Sequence, residues 1–248
     1  MVKSKLLPAL LLALPFFLSF SSDSATNKAK LEGAWLQTGA SADGEIARIL
    51  LFSGRYFSLT SYMSENGAFL STKGGSWSLD GEALEVSYEF DTADSTRVGT
   101  SEEWNISLKE STLLLEGKDL DPAPWGALDA DISTPLSGPW LFSGRERDGK
   151  ITRRDTANQP RKTMKILAGS RFQWIAYNTE TKQFFGTGGG SYTAEEGVYT
   201  ENIEFFSRDN SRVGAQLRFE FSVEGNDWHH RGKSSAGEPM YEIWSRRD

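Results

Sequence analysis

Gly188–Val213 reads GGGSYTAEEGVYTENIEFFSRDNSRV, and an earlier stretch, Lys73–Val98, reads KGGSWSLDGEALEVSYEFDTADSTRV. The two align without a gap at a constant spacing of 115, since 188 − 73 and 213 − 98 give the same number. Glu116-Gly117-Lys118 and Arg231-Gly232-Lys233 continue the match at that spacing. An ungapped duplication of this length means two copies of one structural unit.

Working outward, each copy opens on L-x-G-x-W: Leu31-Glu32-Gly33-Ala34-Trp35 and Leu136-Ser137-Gly138-Pro139-Trp140. Short apolar runs follow at Ile49–Phe52 and Lys165–Ala168, then Tyr56–Met63 and Phe172–Tyr177. Later segments alternate with period 2. Ala215, Leu217, Phe219, Phe221 and Val223 share one face against Gln216, Arg218, Glu220 and Ser222. Leu84, Val86, Tyr88 and Phe90 do the same, as do Trp104, Ile106 and Leu108. Strict alternation with one polar face is the mark of antiparallel sheet covering a core on one side. Asn66-Gly67, Asp80-Gly81, Glu196-Gly197 and Gly225-Asn226-Asp227 supply turns between the runs. No window carries a helical period. The expected fold is all-β, two tandem antiparallel up-and-down barrels of about 7–8 strands each.

The boundaries expected are 31–118 for the first repeat and 136–248 for the second. Residues 119–135 read as linker with at most a degraded last strand, because Gly126–Ile132 (GALDADI) is poor strand sequence. The second repeat carries an insertion. Trp35 to Leu50 spans 15 positions, whereas Trp140 to Ile166, taken as the match to Leu50, spans 26.

Residues 1–21 have the form of a signal peptide: Lys3 and Lys5, then an apolar run over Leu6–Phe20, then small residues. Residues 22–30 read as a flexible leader. Export to a secreted or periplasmic location is the expectation. The formal charge is −7, and −9 once Lys3 and Lys5 depart, which disfavours nucleic acid as a partner. With no cysteine there is no disulfide, thiolate metal site or lipoprotein anchor. No other run is apolar enough to span a bilayer, so no membrane span is expected in the mature chain.

The L-x-G-x-W opening, the run of about eight strands and the late aromatic strand resemble lipocalin-like (calycin) barrels. Lys165–Phe172 (KILAGSRF), Gly188–Ile203 and Tyr241–Arg246 (YEIWSR) are similar to a lipocalin-like family of secreted bacterial proteins, notably of the Bacteroidetes. The resemblance implies a β-barrel and export. It implies no activity, since none is established for that family.

Candidate site residues come from comparing the copies. Glu201 falls where the first copy has Val86, and Glu102 falls where the second has Leu217. Both carboxylates are in the register of an apolar face, with Tyr199, Ile203 and Phe205 beside Glu201. An inward carboxylate needs a partner. Arg212 and Arg97, at equivalent places in Asp-x-x-Arg-Val-Gly loops, are the expected ones. Trp174, Tyr199, Glu201 and Phe219 are expected to line a ligand pocket in the second barrel, with Arg212 at its rim. The Gly188–Gly190 run lacks the Lys-Ser/Thr of a phosphate loop and reads as a barrel bulge. His229 and His230 point to opposite faces of a strand and read as surface residues, so neither metal nor other cofactor is expected. The basic insertion Gly144–Lys165 allows contact with an anionic ligand or glycan, and equally a solvated loop paired with the acidic body. The functional expectation is a secreted non-enzymatic protein that holds a small molecule or anionic ligand in the second barrel. The alternatives are an interaction module with filled barrels or, more distantly, an extracytoplasmic hydrolase.

Overall fold

The computed structural model describes residues 28–129, 132–233 and 237–248. The expected signal peptide, and the leader up to residue 27, lie outside the described residues. Residues 28–30, read as leader from sequence, form one helical turn with Leu31, the buried first residue of the first repeat. Among the described residues no helix is long and apolar enough to cross a membrane.

Two closed antiparallel barrels of eight strands follow one another. The first comprises β1 (Gly33–Ser41), β2 (Gly44–Ser53), β3 (Tyr56–Met63), β4 (Phe69–Asp80), β5 (Ala83–Asp91), β6 (Ser101–Lys109), β7 (Thr112–Glu116) and β8 (Trp125–Leu128). The second comprises β9 (Gly138–Arg147), β11 (Arg161–Ala168), β12 (Arg171–Asn178), β13 (Gln183–Glu195), β14 (Val198–Phe206), β15 (Gln216–Glu224), β16 (Asp227–Lys233) and β17 (Pro239–Arg246). The inserted β10 (Lys150–Arg153) forms an exposed hairpin on β9 outside that barrel.

The L-x-G-x-W element has the same job twice. Trp35 Nε1 donates to the Leu31 carbonyl at 2.9 Å, and Trp140 Nε1 to the Leu136 carbonyl at 2.8 Å. The intervening Gly33 and Gly138 sit at φ of 142° and 130°, where a Cβ is unfavourable. The backbone can thus fold each leucine back against the barrel interior, where both are fully buried.

Two expectations change. The stretch read as linker supplies β8, which pairs with both β1 and β7 and closes the first barrel. Closure and the burial of Trp125 hold this strand, not its local propensity. The inserted segment is also one residue shorter than the sequence comparison suggested. Trp35 faces Leu50 across β1–β2, and Trp140 faces Lys165 across β9–β11. Lys165, not Ile166, therefore occupies the place of Leu50, and a one-residue change of register reverses which side chain faces inward.

The glycine runs do form bulges, between Gly74 and Gly75 and between Gly189 and Gly190. A Cβ on Gly75 would lie 2.0 Å from the Ser87 carbonyl, and one on Gly190 2.1 Å from that of Asn202. The partner strands skip Glu89 and Glu204 there. The skip turns Phe205 out of the alternation expected with Tyr199, Glu201 and Ile203. Phe205 and its counterpart Phe90 leave the barrel interiors and join a third core between the barrels.

That core is pseudo-symmetric. Tyr62 stacks on Phe205 with ring centroids 5.1 Å apart, and its counterpart Tyr177 meets Phe90 at 5.0 Å. Tyr62 donates to Glu204 at 2.9 Å, and Tyr177 donates to Glu89. Phe69 stacks on Phe184, 115 positions away, at 6.1 Å. Each contact is repeated with the copies exchanged, which is the pattern of a two-fold interface between like subunits. Arg171 completes one carboxylate and Arg247, near the end of the chain, completes the other.

Candidate functional site

The two interiors keep aromatic rings at Trp35 and Trp140, Phe57 and Phe172, Trp77 and Tyr192, and Trp104 and Phe219, and differ elsewhere. Leu50, Val86 and Leu115 fill the middle of the first barrel. At the matching positions the second barrel has Lys165, Glu201 and His230, all buried. Lys165 Nζ lies 2.7 Å from Glu201 Oε1, and both side chains are about 5% exposed. The ammonium also sits 5.0 Å from the Tyr199 ring centroid, 4.9 Å from Trp228 and 5.1 Å from Trp244. Three π-faces and one carboxylate thus offset the desolvation of this cation.

His230 stands beside this pair. Its ring centroid is 4.1 Å from that of Phe219, and its Nδ1 lies 3.6 Å from Glu242 Oε2, too far for a hydrogen bond. Neither ring nitrogen has a hydrogen-bond partner, nor has the buried Tyr199 hydroxyl. Burial, then the Lys165 charge, push the His230 pKa down, so the ring is neutral at neutral pH. Burial works against a charged Glu242, while Lys165 and the Trp244 N–H favour it, and the balance lies below the usual carboxylate range. The Tyr199 hydroxyl is pushed well up by burial and then by Glu201.

Above these groups is a cavity of about 310 Å³. Its polar lining is Thr163, Lys165, Glu201, His230 and Glu242, and the rest is Trp174, Ile203, Phe206, Leu217, Phe219, Met240 and Trp244. Gly188 makes room here. A Cβ on it would lie 2.8 Å from both Trp174 and Phe206, whose rings meet edge to face at 5.4 Å.

The corresponding opening of the first barrel is built from charge. Gly188 is replaced by Lys73, whose ammonium lies 5.6 Å from Trp104 and 5.8 Å from Tyr88. Arg97 binds Glu102 at 2.6 Å and approaches Asp119 at 3.5 Å and Asp91 at 3.7 Å. Tyr88 and Trp104 both donate to Glu102. Burial would raise the Glu102 carboxyl, but these two donors and Arg97 outweigh it and hold it down. Leu120, from the stretch read as linker, packs on the interior beneath. The space left at this mouth, about 250 Å³, is lined by Arg48, Lys73, Asp91, Arg97, Asp119 and Asp121 among others.

Of the residues singled out from sequence, Trp174, Glu201 and Phe219 line the second cavity. Tyr199 is fully buried beneath it. Arg212 does not join them. Its guanidinium turns back to Asp209 at 3.2 Å, and the partner of Glu201 is Lys165. The reason lies in the exchanged neighbours. Tyr88, Asp91 and Glu102, which draw Arg97 inward, become Ile203, Phe206 and Leu217. Arg97 does pair with Glu102, as expected. The surface reading of the histidines holds only in part. His229 is half-buried and bonds Tyr241 at 2.7 Å, whereas His230 is inside. Lys165 was hidden by the register error, and His230 was legible from its 115-residue spacing to the interior Leu115.

No family model and no curated protein matches the chain. The architecture of two tandem eight-stranded antiparallel barrels is compatible with a calycin-like fold.

Proposed function

We propose that this is a secreted or periplasmic, non-enzymatic binding protein of the lipocalin-like bacterial kind, and that the second barrel holds a small amphipathic molecule. The observation that carries this reading is the cavity itself, apolar at its walls and ending on buried Lys165, Glu201 and an imidazole with no partner. Pockets of about 300–1,000 Å³ with mostly apolar walls and a few convergent polar groups are the usual form of small-molecule sites. The molecule's apolar body would lie against Trp174, Phe206, Phe219 and Trp244, and its polar end would reach Glu242 and His230. Lys165 and Glu201 are already satisfied by each other, which suits holding better than chemistry.

For the first barrel a structural role is the better reading. Trp104, Trp125, Phe52 and Phe57 fill it, and its mouth is held by paired charges. The basic hairpin gives little support to an anionic ligand. Arg153 is paired with Asp227 at 2.6 Å, while Arg154 and Arg161 lie over Phe142 and Phe185.

Native mass spectrometry of the full chain purified from its own host tests the binding reading. Retention of a small molecule, lost on Trp174→Ala plus Phe219→Ala, is the expected result. A bare mass, together with no uptake of added amphipathic probes, would leave both barrels structural.

A further inference from the structure

The charges at the floor of the second cavity do not balance. Glu201 and Glu242 contribute two carboxylates and Lys165 one ammonium. His230 is walled in by Phe219, Tyr199 and Trp228, with Lys165, Glu201 and Glu242 as its charged neighbours. Its ring adds an uncharged donor and acceptor. Lys165 is committed to Glu201 at 2.7 Å. Glu242 has an indole donor, Trp244 Nε1 at 3.1 Å, but no ion-pair partner besides the distant imidazole. Lys165 is the one ammonium shared by two carboxylates, and a partly dry site with that excess of negative charge favours an arriving cation and repels an arriving anion.

The apolar part of the cavity points the same way. Trp174, Phe219 and Trp244 present aromatic rings around the route to Glu242, and such faces stabilise a cation by their negative quadrupole. The molecule already uses this chemistry one layer deeper, where three rings surround the Lys165 ammonium. The mouth of the first barrel differs, because Lys73 and Arg97 already stand there against Tyr88, Trp104 and Glu102.

We infer that the second barrel selects amphipathic amines: ligands with one protonated nitrogen and an apolar body, the ammonium paired with Glu242 and in contact with the surrounding rings. This rests on the binding reading above and adds the charge of the ligand to it. It excludes fatty-acid-like carboxylates as the preferred class.

Isothermal titration of the full chain at pH 7 with octylamine, 1-octanol and octanoate tests it, because the three are eight-carbon chains of nearly equal apolar length with different head groups. Octylamine should bind about tenfold or more tighter than octanol, and octanoate should be weakest. Glu242→Gln should remove the preference for octylamine over octanol, bringing the two within about twofold of each other. Octanoate binding as well as octylamine overturns the amine assignment while leaving the binding reading standing. Failure of all three to bind overturns both. The comparison of the three probes on the unmodified protein decides the matter even if the Glu242→Gln variant does not fold.

Discussion

Both barrels keep a lysine and a glutamate among aromatic rings, yet they keep them in different places. In the first, Lys73 and Glu102 stand at the mouth with Arg97, Asp91 and Asp119, over an interior of Leu50, Val86 and Leu115. In the second, Lys165 and Glu201 have moved into the middle, the mouth has become Gly188 and Leu217, and Ile203 and Phe206 have replaced the residues that hold Arg97. One framework thus gives a barrel with an apolar centre under a charged rim, and a barrel with a polar centre under an apolar rim. The second arrangement is the costlier to fold, since an ion pair in the interior recovers only part of its hydration. That cost at one copy only, with the other copy as an internal control, is the strongest sign of where function lies.

The largest effect in this comparison should come from giving the second barrel the first barrel's residues one at a time. Glu201→Val alone leaves Lys165 buried without its counter-ion and should lower unfolding free energy by about 3–5 kcal/mol in urea titrations. Lys165→Leu combined with Glu201→Val should recover most of that loss. A double variant as unstable as the single one would mean that the pair is not the coupled unit described.

Next comes the rim. Arg97→Ala strips Glu102 and the buried Asp91 of their cation and should cost about 1.5–3 kcal/mol. Arg212→Ala, at the equivalent position, where the guanidinium pairs with the half-exposed Asp209, should cost less than that. Equal losses would contradict the exchange of roles between the two mouths.

Acid should reveal the difference as well. His230 titrates lower in the folded state than the unfolded value of about 6.5, so the unfolded chain binds more protons and stability falls as pH drops below that point. The slope attributable to this ring should not exceed about 1.4 kcal/mol per pH unit. Glu102 and Glu242, both depressed, add a further loss once pH falls below the usual glutamate range. His230→Leu, the residue type at position 115, should flatten the profile between pH 6.5 and 5 and leave the lower limb in place. Thermal unfolding across that range checks it, and an unchanged slope would place the titrating group elsewhere.

Much of the architecture was legible because the duplication and the period-2 runs repeat one pattern twice. The strands of Leu84–Phe90 and Ala215–Val223 and the bulges at Gly74 and Gly189 followed from alternation and turn chemistry alone. Four features did not. The strand Trp125–Leu128 has little strand propensity and exists because the barrel must close, which is a property of the sheet as a whole. Ile166 was matched to Leu50 in place of Lys165, and with a period of two an error of one position exchanges the two faces. Phe205 was assigned inward because the skipped Glu204 cannot be seen in an alternation that counts every residue. Glu201 was found since the copies could be compared directly, whereas its partner lay across a segment where they differ in length. The interface between the barrels was also out of reach, for it depends on outward residues such as Tyr62, Phe69 and Tyr177 that a single-barrel reading assigns to solvent.

The eight tryptophans divide evenly, with Trp35, Trp77, Trp104 and Trp125 in the first barrel and Trp140, Trp174, Trp228 and Trp244 in the second. Their indole N–H resonances in the ¹⁵N-labelled full chain, followed while octylamine is added, report on both barrels at once. The account predicts that Trp174 and Trp244 shift in a saturable way while the four resonances of the first barrel stay in place. Shifts of Trp104 and Trp125 with Trp174 and Trp244 unmoved would put the site in the wrong barrel and contradict it.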